Sequence, residues 1–280
     1  MRRVLGGIVR HPSGAIGAAI VVVYVVAALL AAAGLTPHDP IQQFRIDRLK
    51  GPSGLYWMGT DLFGRDVLSR LMLGIGQSFT IAFSAVALAT LAGSVIGLFA
   101  AWWGSIFDGL LMRTMDVLLA FPAILLAMLI VAIAGPGTVT SILAIALVYT
   151  PIFARVVRGP ALSLKQRDFV EAAKTFGSSE GYILTRHLLL NLVAPLTVQV
   201  TLALAWALLT EAGLSFLGLG TQPPAPSLGV MLAESKNLMT QAPWLMAFPG
   251  LAIMLGILGF NLFGDALRDI LDPRSERRTA

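Results

Sequence analysis

Five long stretches of this sequence contain no Asp, Glu, Lys, Arg or His, and they restrict the chain to a membrane protein. About 20 apolar residues cross the hydrocarbon core of a bilayer, so each stretch is long enough for at least one span. Only 12% of all residues are charged, against about a quarter in a soluble domain. We expect an all-α polytopic membrane protein with no soluble domain of ordinary size, because a helix pairs its own backbone groups in lipid. The stretches are 12–37, 71–107, 117–154, 188–210 and 237–264.

Glycine and proline divide these stretches into helices. The third stretch is interrupted at 134–138, AGPGT, which predicts two helices joined by a tight turn. A further uncharged run, 212–233, contains three prolines and several glycines, whose unpaired backbone groups would be costly in lipid, so it is interpreted as a loop. The sequence predicts six spanning helices, at 14–35, 78–102, 115–134, 138–158, 193–217 and 244–264.

The Lys and Arg residues collect on one side of these spans. With an even number of spans both termini face the same side, and placing that side in the cytoplasm puts 14 of the 20 basic residues there. Basic residues favour cytoplasmic loops, so the N- and C-termini are predicted to be cytoplasmic. The 14 are Arg2, Arg3, Arg10, Arg113, Arg155, Arg158, Lys165, Arg167, Lys174, Arg186, Arg268, Arg274, Arg277 and Arg278.

The amino terminus imitates a secretory signal. Three arginines, an apolar run and the alanines at 31–33 resemble a signal peptide with an A-x-A cleavage site. The apolar run exceeds the roughly 7–15 residues of a signal core, so a retained first helix is expected.

Several kinds of chemistry are missing from the sequence. None of the four lysines follows glycine, so the chain lacks the Gly-Lys-Ser/Thr of a phosphate-binding loop. It also lacks cysteine and the His-Glu-x-x-His pattern of zinc proteases. We expect no enzyme activity, no metal, no cofactor bound by this chain and no nucleic-acid partner. Only Glu211 is an ionisable residue expected inside a span, either as a polar cap or partner contact near the interface, or as a coupling carboxylate.

A polar segment lies between the fourth and fifth spans. Residues 168–176, DFVEAAKTF, place two phenylalanines and two alanines at i, i+3, i+4 and i+7, which predicts one face of a short helix. Asp168 suits the N-cap or first turn, and Gly177 suits the helix end. A helix this short is marginal alone, so it needs support. Its support is either a groove on another protein, or the membrane surface or its own bundle, and the residues alone do not distinguish these two possibilities.

Four segments resemble one family. Glu171-Ala172-Ala173, three residues and then Gly177 resembles the EAA motif of ATP-binding-cassette (ABC) importer permeases, although the usual Leu-Pro ending reads Leu189-Leu190. Residues 59–71, GTDLFGRDVLSRL, resemble the GTDxxGRD segment of peptide- and nickel-type importers. Residues 211–220, EAGLSFLGLG, and the pair Asp272-Pro273 are also similar to that family.

The resemblance implies a type I ABC importer permease fold and a place in a bacterial or archaeal cytoplasmic membrane. It implies the second of two permeases for dipeptides, oligopeptides or nickel. Implied partners are a second homologous permease, one or two ABC ATPase subunits that hydrolyse ATP with Mg²⁺, an extracytoplasmic substrate-binding protein and the lipid bilayer. The absence of His and Cys from the spans favours peptide over nickel. A stand-alone secondary transporter is less favoured, because Glu211 has no counterpart in the first half.

The resemblance also assigns site residues and a division of the chain. Residues 1–70 form an N-terminal segment with the first span and an outer loop. The part 60–71 sets apolar residues among charges, which predicts an amphipathic element at the outer surface that contacts the binding protein, closes the pathway or rests at the headgroups. Residues 71–280 form a five-helix permease core with a cytoplasmic coupling loop at 159–192. The ATPase-coupling residues are Asp168, Phe169, Glu171, Ala172, Ala173, Phe176 and Gly177. The candidates for an outer gate or binding-protein contact are Asp61, Arg65, Asp66 and Glu211.

Overall fold

The computed structural model describes residues 12–271, and within them every regular element is a helix. Six of the arginines used above for orientation and the Asp272-Pro273 pair used for the resemblance lie outside this range. The six are Arg2, Arg3, Arg10, Arg274, Arg277 and Arg278. The helices are α1 Pro12–Ala32, α2 Val67–Trp103, α3 Ser105–Leu119, α4 Ala123–Ala134, α5 Thr138–Lys165, α6 Asp168–Thr175, α7 Glu180–Tyr182, α8 Val193–Phe216, α9 Leu228–Ser235 and α10 Trp244–Leu271. A 3₁₀ turn, Arg45–Asp47, and a π-helical segment, Ile183–Leu189, complete the set.

Five of these helices, α1, α2, α5, α8 and α10, are each long and apolar enough to cross a membrane. The pair α3 and α4 makes a sixth span if the two are counted together, but they meet at an angle of 92°. The predicted continuous helix 115–134 is therefore wrong. Pro122 lacks a backbone N–H and disfavours helical geometry at the preceding residue, which explains the break between Leu119 and Ala123.

Two other boundaries differ from the prediction. Helix α2 begins at Val67 rather than at 78, and the Asp66 carboxylate caps it by accepting a hydrogen bond from the Ser69 amide at 3.0 Å. Helix α9 begins inside the run 212–233 that was interpreted as a loop and ends just past it, and the Ser227 hydroxyl caps it by accepting from the Val230 amide. The sequence did not predict these starts, because charged residues surround the start of α2 and prolines and glycines precede the start of α9.

The bundle has two ends, which we name by their short helices. The α6 end carries residues 166–192, and there the Lys165 ammonium donates to the carbonyl of Ala101 at 3.2 Å, joining the ends of α5 and α2. The α9 end carries residues 33–66 and 217–243. There the Trp244 indole donates to the Thr60 carbonyl at 3.3 Å, and the Gly137 amide donates to Leu219.

Glycines allow the closest approach of the long helices. A Cβ atom on Gly93 would lie 2.5 Å from the Cβ of Phe153, and one on Gly97 would lie 2.5 Å from the Ala154 carbonyl oxygen. Small residues at this spacing let spanning helices pack backbone to backbone, since burial of apolar surface drives little association inside lipid. The α2–α5 contact is therefore the tight centre of the bundle.

We expect Gly97→Leu to lower the stability of the purified permease by about 1–3 kcal/mol, because the added side chain must separate α2 from α5. Thermal unfolding in detergent, followed by tryptophan fluorescence, measures the change. Gly109→Leu is the control, since Gly109 lies on exposed α3 with nothing within 4 Å of an added Cβ. Equal melting temperatures for the two variants would contradict the packing argument.

Candidate functional sites at the two ends of the bundle

Helix α6 is a separate short helix, as the sequence predicted. Acidic side chains occupy its first turn and Lys174 its last turn, an order that matches the helix dipole. It ends in a Schellman turn, where the Gly177 amide donates to Lys174 and the Ser178 amide donates to Ala173. Gly177 has a φ of +77°, which glycine adopts without strain. The prediction that Gly177 ends the helix is confirmed. Asp168 lies in the first turn, one of its two predicted positions, and Arg167 occupies the N-cap.

One side of α6 is anchored and the other is open. Val170 is fully buried and fastens the helix to its own bundle. The opposite side presents Phe169, which is 41% exposed, exposed Ala172 and Phe176, which is 88% exposed. Burying a phenylalanine side chain is worth about 1.5–3 kcal/mol, so this face is suited to contact with another molecule. We call Phe169, Glu171, Ala172, Ala173 and Phe176 the α6 face; of these, Ala173 is partly buried and packs against the bundle.

Two connections join α6 to the spanning helices. The Lys174 ammonium lies 4.7 Å from the ring centroid of Trp102, near the end of α2. After α7, which Ser179 caps, the π-helical segment Ile183–Leu189 leads toward α8 and buries Ile183 and Leu188. Single π-helical turns are frequent at functional sites. A displacement of α6 therefore has two direct routes to the spans.

At the α9 end, four ionic side chains converge, and we call Asp61, Arg65, Arg70 and Glu234 the ionic cluster. The Arg65 Nε lies 2.5 Å from Asp61 Oδ2. Arg65 Nη2 and Arg70 Nη2 both donate to Glu234 Oε2, at 3.1 and 2.8 Å. Arg70 Nε lies 3.6 Å from Asp61 Oδ2. The structure thus brings together two of the predicted residues, Asp61 and Arg65, and adds two that sequence reasoning did not assign to a site.

The turn at 61–65 holds its own charges. Asp61 Oδ1 accepts hydrogen bonds from the amides of Phe63 at 2.8 Å and Arg65 at 2.9 Å. Gly64 has a φ of +76°, and any Cβ there would overlap the carbonyl of Phe44. Thr60, Asp61, Arg65 and Arg70 are buried, so the interpretation of 60–71 as an amphipathic surface element is wrong. Its charges neutralise each other inside the protein instead of facing water.

Asp66 has a different position from Asp61. Besides capping α2, its Oδ2 accepts from the Ser69 hydroxyl at 2.5 Å and lies 3.6 Å from His38 Nδ1. These contacts are structural, because they secure the start of α2 to the loop at 33–66. In the same loop, hydrogen bonds from Lys50 and Tyr56 hold the pKa of Asp47 below its ordinary value.

Glu211 is fully buried within α8 and does not join the ionic cluster. The Ser215 hydroxyl donates to its Oε1 at 2.7 Å, and Ser78 and Ser227 lie close to the same carboxylate. Its Oε2 has no hydrogen-bond partner among the described residues. Since Ser227 also caps α9, this cluster fastens α8 and α2 to the start of α9.

Beside the ionic cluster lies a half-open cavity of about 550 Å³. Arg65, Arg70, Asp61 and Glu234 line one side of it, and the rest of the lining is apolar apart from Gln43 and Ser235. Within residues 12–271, no group of three or more His, Asp or Glu side chains is placed to hold a metal ion.

Comparison with known families decides what kind of protein carries these two ends. Residues 93–277 match the family described as the binding-protein-dependent transport system inner membrane component. The chain belongs to this family. It is a permease subunit of the ABC importer type, and the resemblance stated from its motifs is confirmed.

Curated relatives align over most of the permease. The dipeptide transport system permease protein DppC of Alkalihalophilus pseudofirmus is 47% identical and covers 81% of this chain and 75% of its own length. The glutathione transport system permease protein GsiD of Pectobacterium atrosepticum is 42% identical over 93% of this chain and 87% of its own. The probable D,D-dipeptide transport system permease protein DdpC of Escherichia coli K12 is 40% identical over 92% and 86%.

A solved structure supports the fold of the permease. An inward-facing conformation of the MetNI methionine ABC transporter aligns with a TM-score of 0.56 and 17% identity. The alignment covers 71% of this chain and 94% of that one. The predicted fold class, an all-α polytopic permease of type I importer fold, is confirmed. The roles predicted for the α6 face, Asp168, Gly177 and the outer residues stay predictions.

Proposed function

We propose that this permease forms half of the translocation pathway of an ATP-driven, binding-protein-dependent importer of di- or oligopeptides. The other half comes from a second homologous permease, and an extracytoplasmic binding protein delivers the substrate. The relatives named above are called dipeptide, D,D-dipeptide and glutathione permeases, which supports peptide and does not favour nickel.

The exposure of the α6 face carries the coupling part of the proposal. Two phenylalanines flank small alanines on a helix that its own bundle leaves largely open, which suits a groove on an ATPase subunit. Glu171 supplies a charged contact, and Ala172 and Ala173 allow close approach. Gly177 turns the chain back toward the bundle.

The same assignment orients the protein. With the α6 end in the cytoplasm, the basic residues at the ends of α5 and α6 lie on the side that membrane proteins favour for them. The N- and C-termini then also face the cytoplasm, and the α9 end faces the binding protein. Asp61 and Arg65 belong on that side to the outer gate or the binding-protein contact, whereas Asp66 and Glu211 support the elements around them.

Helix α6 couples the ATPase subunits to the spanning helices through its contacts with the bundle and through the π-helical segment that follows it. The ATPase subunits close on ATP, which they then hydrolyse with Mg²⁺, and their closure shifts α6. Val170 and the Lys174–Trp102 contact pass the shift to the bundle and to α2, and the π-helical segment passes it toward α8. A ligand shifts such an equilibrium only through differential contacts with its two states, and a rigid helix in a groove provides them.

Transport by the reconstituted system tests the proposal. We expect proteoliposomes with both permeases, the ATPases encoded alongside and the binding protein to take up labelled dialanine only with ATP. Omitting any one component is the control. Preferential uptake of Ni²⁺ would favour the nickel alternative, and dialanine uptake by this chain alone would show a secondary transporter.

A further inference from the structure

Two arginines of the ionic cluster share a single carboxylate oxygen. Arg65 Nη2 and Arg70 Nη2 both donate to Glu234 Oε2. The arginine side chains are 5% and 1% exposed, whereas that of Glu234 is 32% exposed. The arginines therefore form a buried wall, and Glu234 covers it from the accessible side.

The binding capacity of this wall is incompletely used. Arg70 Nη1 is buried and has no hydrogen-bond partner among residues 12–271. A guanidinium binds a carboxylate most strongly through two parallel hydrogen bonds, and Glu234 makes only one with Arg70. A buried donor without a partner is costly. A carboxylate that bound Arg70 through two hydrogen bonds would remove this cost, and Glu234 does not do so in this conformation.

The space in front of the wall has the size of a ligand site. The adjoining cavity of about 550 Å³ lies within the roughly 300–1,000 Å³ range of small-molecule pockets. Its other walls are mainly apolar, with Gln43 and Ser235 as the polar exceptions. Among the lining side chains are Leu62, Phe63, Pro223, Met231, Leu238 and Leu245.

We propose that this cavity binds a short peptide through its C-terminal carboxylate, which takes the place of Glu234 against Arg65 and Arg70. The apolar walls receive the peptide side chains. Glu234 is then a built-in competitor that neutralises the arginines when no peptide is bound. This inference rests on the proposed function, since it adds a peptide site at the end that faces the binding protein.

The site is enclosed, which favours a short peptide over an acidic surface of a partner protein. The two arginines lie behind Glu234 and beside a cavity that holds only a few residues. A free carboxylate at the end of a short, flexible chain can enter this space. Displacing one carboxylate by another leaves the charge of the cluster unchanged, so no uncompensated buried charge arises.

A single-cysteine reporter tests the site, because the chain contains no cysteine. Leu238→Cys places a thiol in the cavity wall, and Leu55→Cys, exposed in the loop at 33–66, is the control. Both are labelled with a maleimide in the full complex in nanodiscs without binding protein. We expect dialanine to slow labelling at position 238 only, and dialanine amide, which lacks the carboxylate, to have no effect.

Glu234→Gln gives a second and directional result. Removing the competing carboxylate is expected to lower the dialanine concentration for half-protection about tenfold. Asp39→Asn, an exposed acidic residue at the same end, is the matched control and should leave that concentration unchanged. Arg65→Gln should abolish protection. If Arg65→Gln misfolds, Glu234→Gln still tests the site.

Three outcomes would overturn the site. They are equal protection by dialanine and its amide, an unchanged half-protecting concentration in Glu234→Gln, and protection by peptide-free binding protein alone. ATP-dependent dialanine uptake by the unmodified system, measured alongside, separates the two proposals. Uptake without protection removes only this site, whereas loss of uptake removes the proposed function as well.

Discussion

Replacing Glu171 by lysine is expected to abolish ATP-dependent uptake while the permease still inserts and folds. The side chain lies on the exposed α6 face, so the change leaves the buried Val170 anchor intact. Reversing a charge in a hydrogen-bonded interface costs about 2–5 kcal/mol, or roughly 30-fold to several thousand-fold in affinity. Co-purification of the ATPase subunits and substrate-stimulated ATP hydrolysis measure the loss.

Two further variants make this experiment specific. Glu180→Lys reverses another exposed carboxylate of the α6 end outside the α6 face, and it should leave ATPase binding close to normal. Gly177→Val should impair coupling as Glu171→Lys does, because a β-branched residue is strained at a φ of +77° and the Schellman turn must change. Full uptake with both Glu171→Lys and Gly177→Val would show that α6 is not the coupling helix.

Replacing Arg70 by methionine should destabilise the permease by about 3–5 kcal/mol, the cost of leaving a buried charge unpaired. Asp61, which is buried, and Glu234 would then share one arginine, Arg65. Unfolding of the purified permease by heat or denaturant, followed by tryptophan fluorescence, measures the change. The expected loss is comparable to the whole stability margin of many proteins, so poor expression is part of the expected result.

The partner side chain supplies the control for this prediction. Glu234→Leu combined with Arg70→Met should recover part of the loss, because apolar groups of similar size can replace a buried ion pair at little cost. Arg113→Met removes an exposed arginine from α3 and should stay within about 0.5 kcal/mol of the unchanged protein. If Arg70→Met were no worse than Arg113→Met, the ionic cluster would have no structural role.

The elements that could be predicted depend on near neighbours in the chain. Span α8, expected at 193–217, is found at Val193–Phe216, because an uncharged run of this length satisfies its backbone only as a helix. Helix α6 was predicted from side chains spaced i, i+3, i+4 and i+7, and its end was predicted from Gly177. The break before α4 also has a local cause, Pro122, although the apolar composition of the segment concealed it.

The ionic cluster could not be predicted in the same way. Glu234 lies 164 residues from Arg70 and 169 from Arg65, and no spacing in the chain relates them. Read alone, the charges at 61–70 indicate a solvated segment, because isolated charges are costly to bury. Asp61 and Arg65 pair locally, but only the folded arrangement of α2 and α9 brings Glu234 to both arginines.

By itself, then, the sequence determined that this chain spans a membrane several times, lacks a nucleotide-binding loop and carries a short helix with an open face. Hydropathy, helical period and motif spacing are local properties, and they suffice for these conclusions. The tertiary structure alone decided which buried charges meet, that Glu211 is enclosed by serines, and that a cavity adjoins Arg65 and Arg70. The physical reason is that the cost of burying a charge depends on partners that distant segments bring to it.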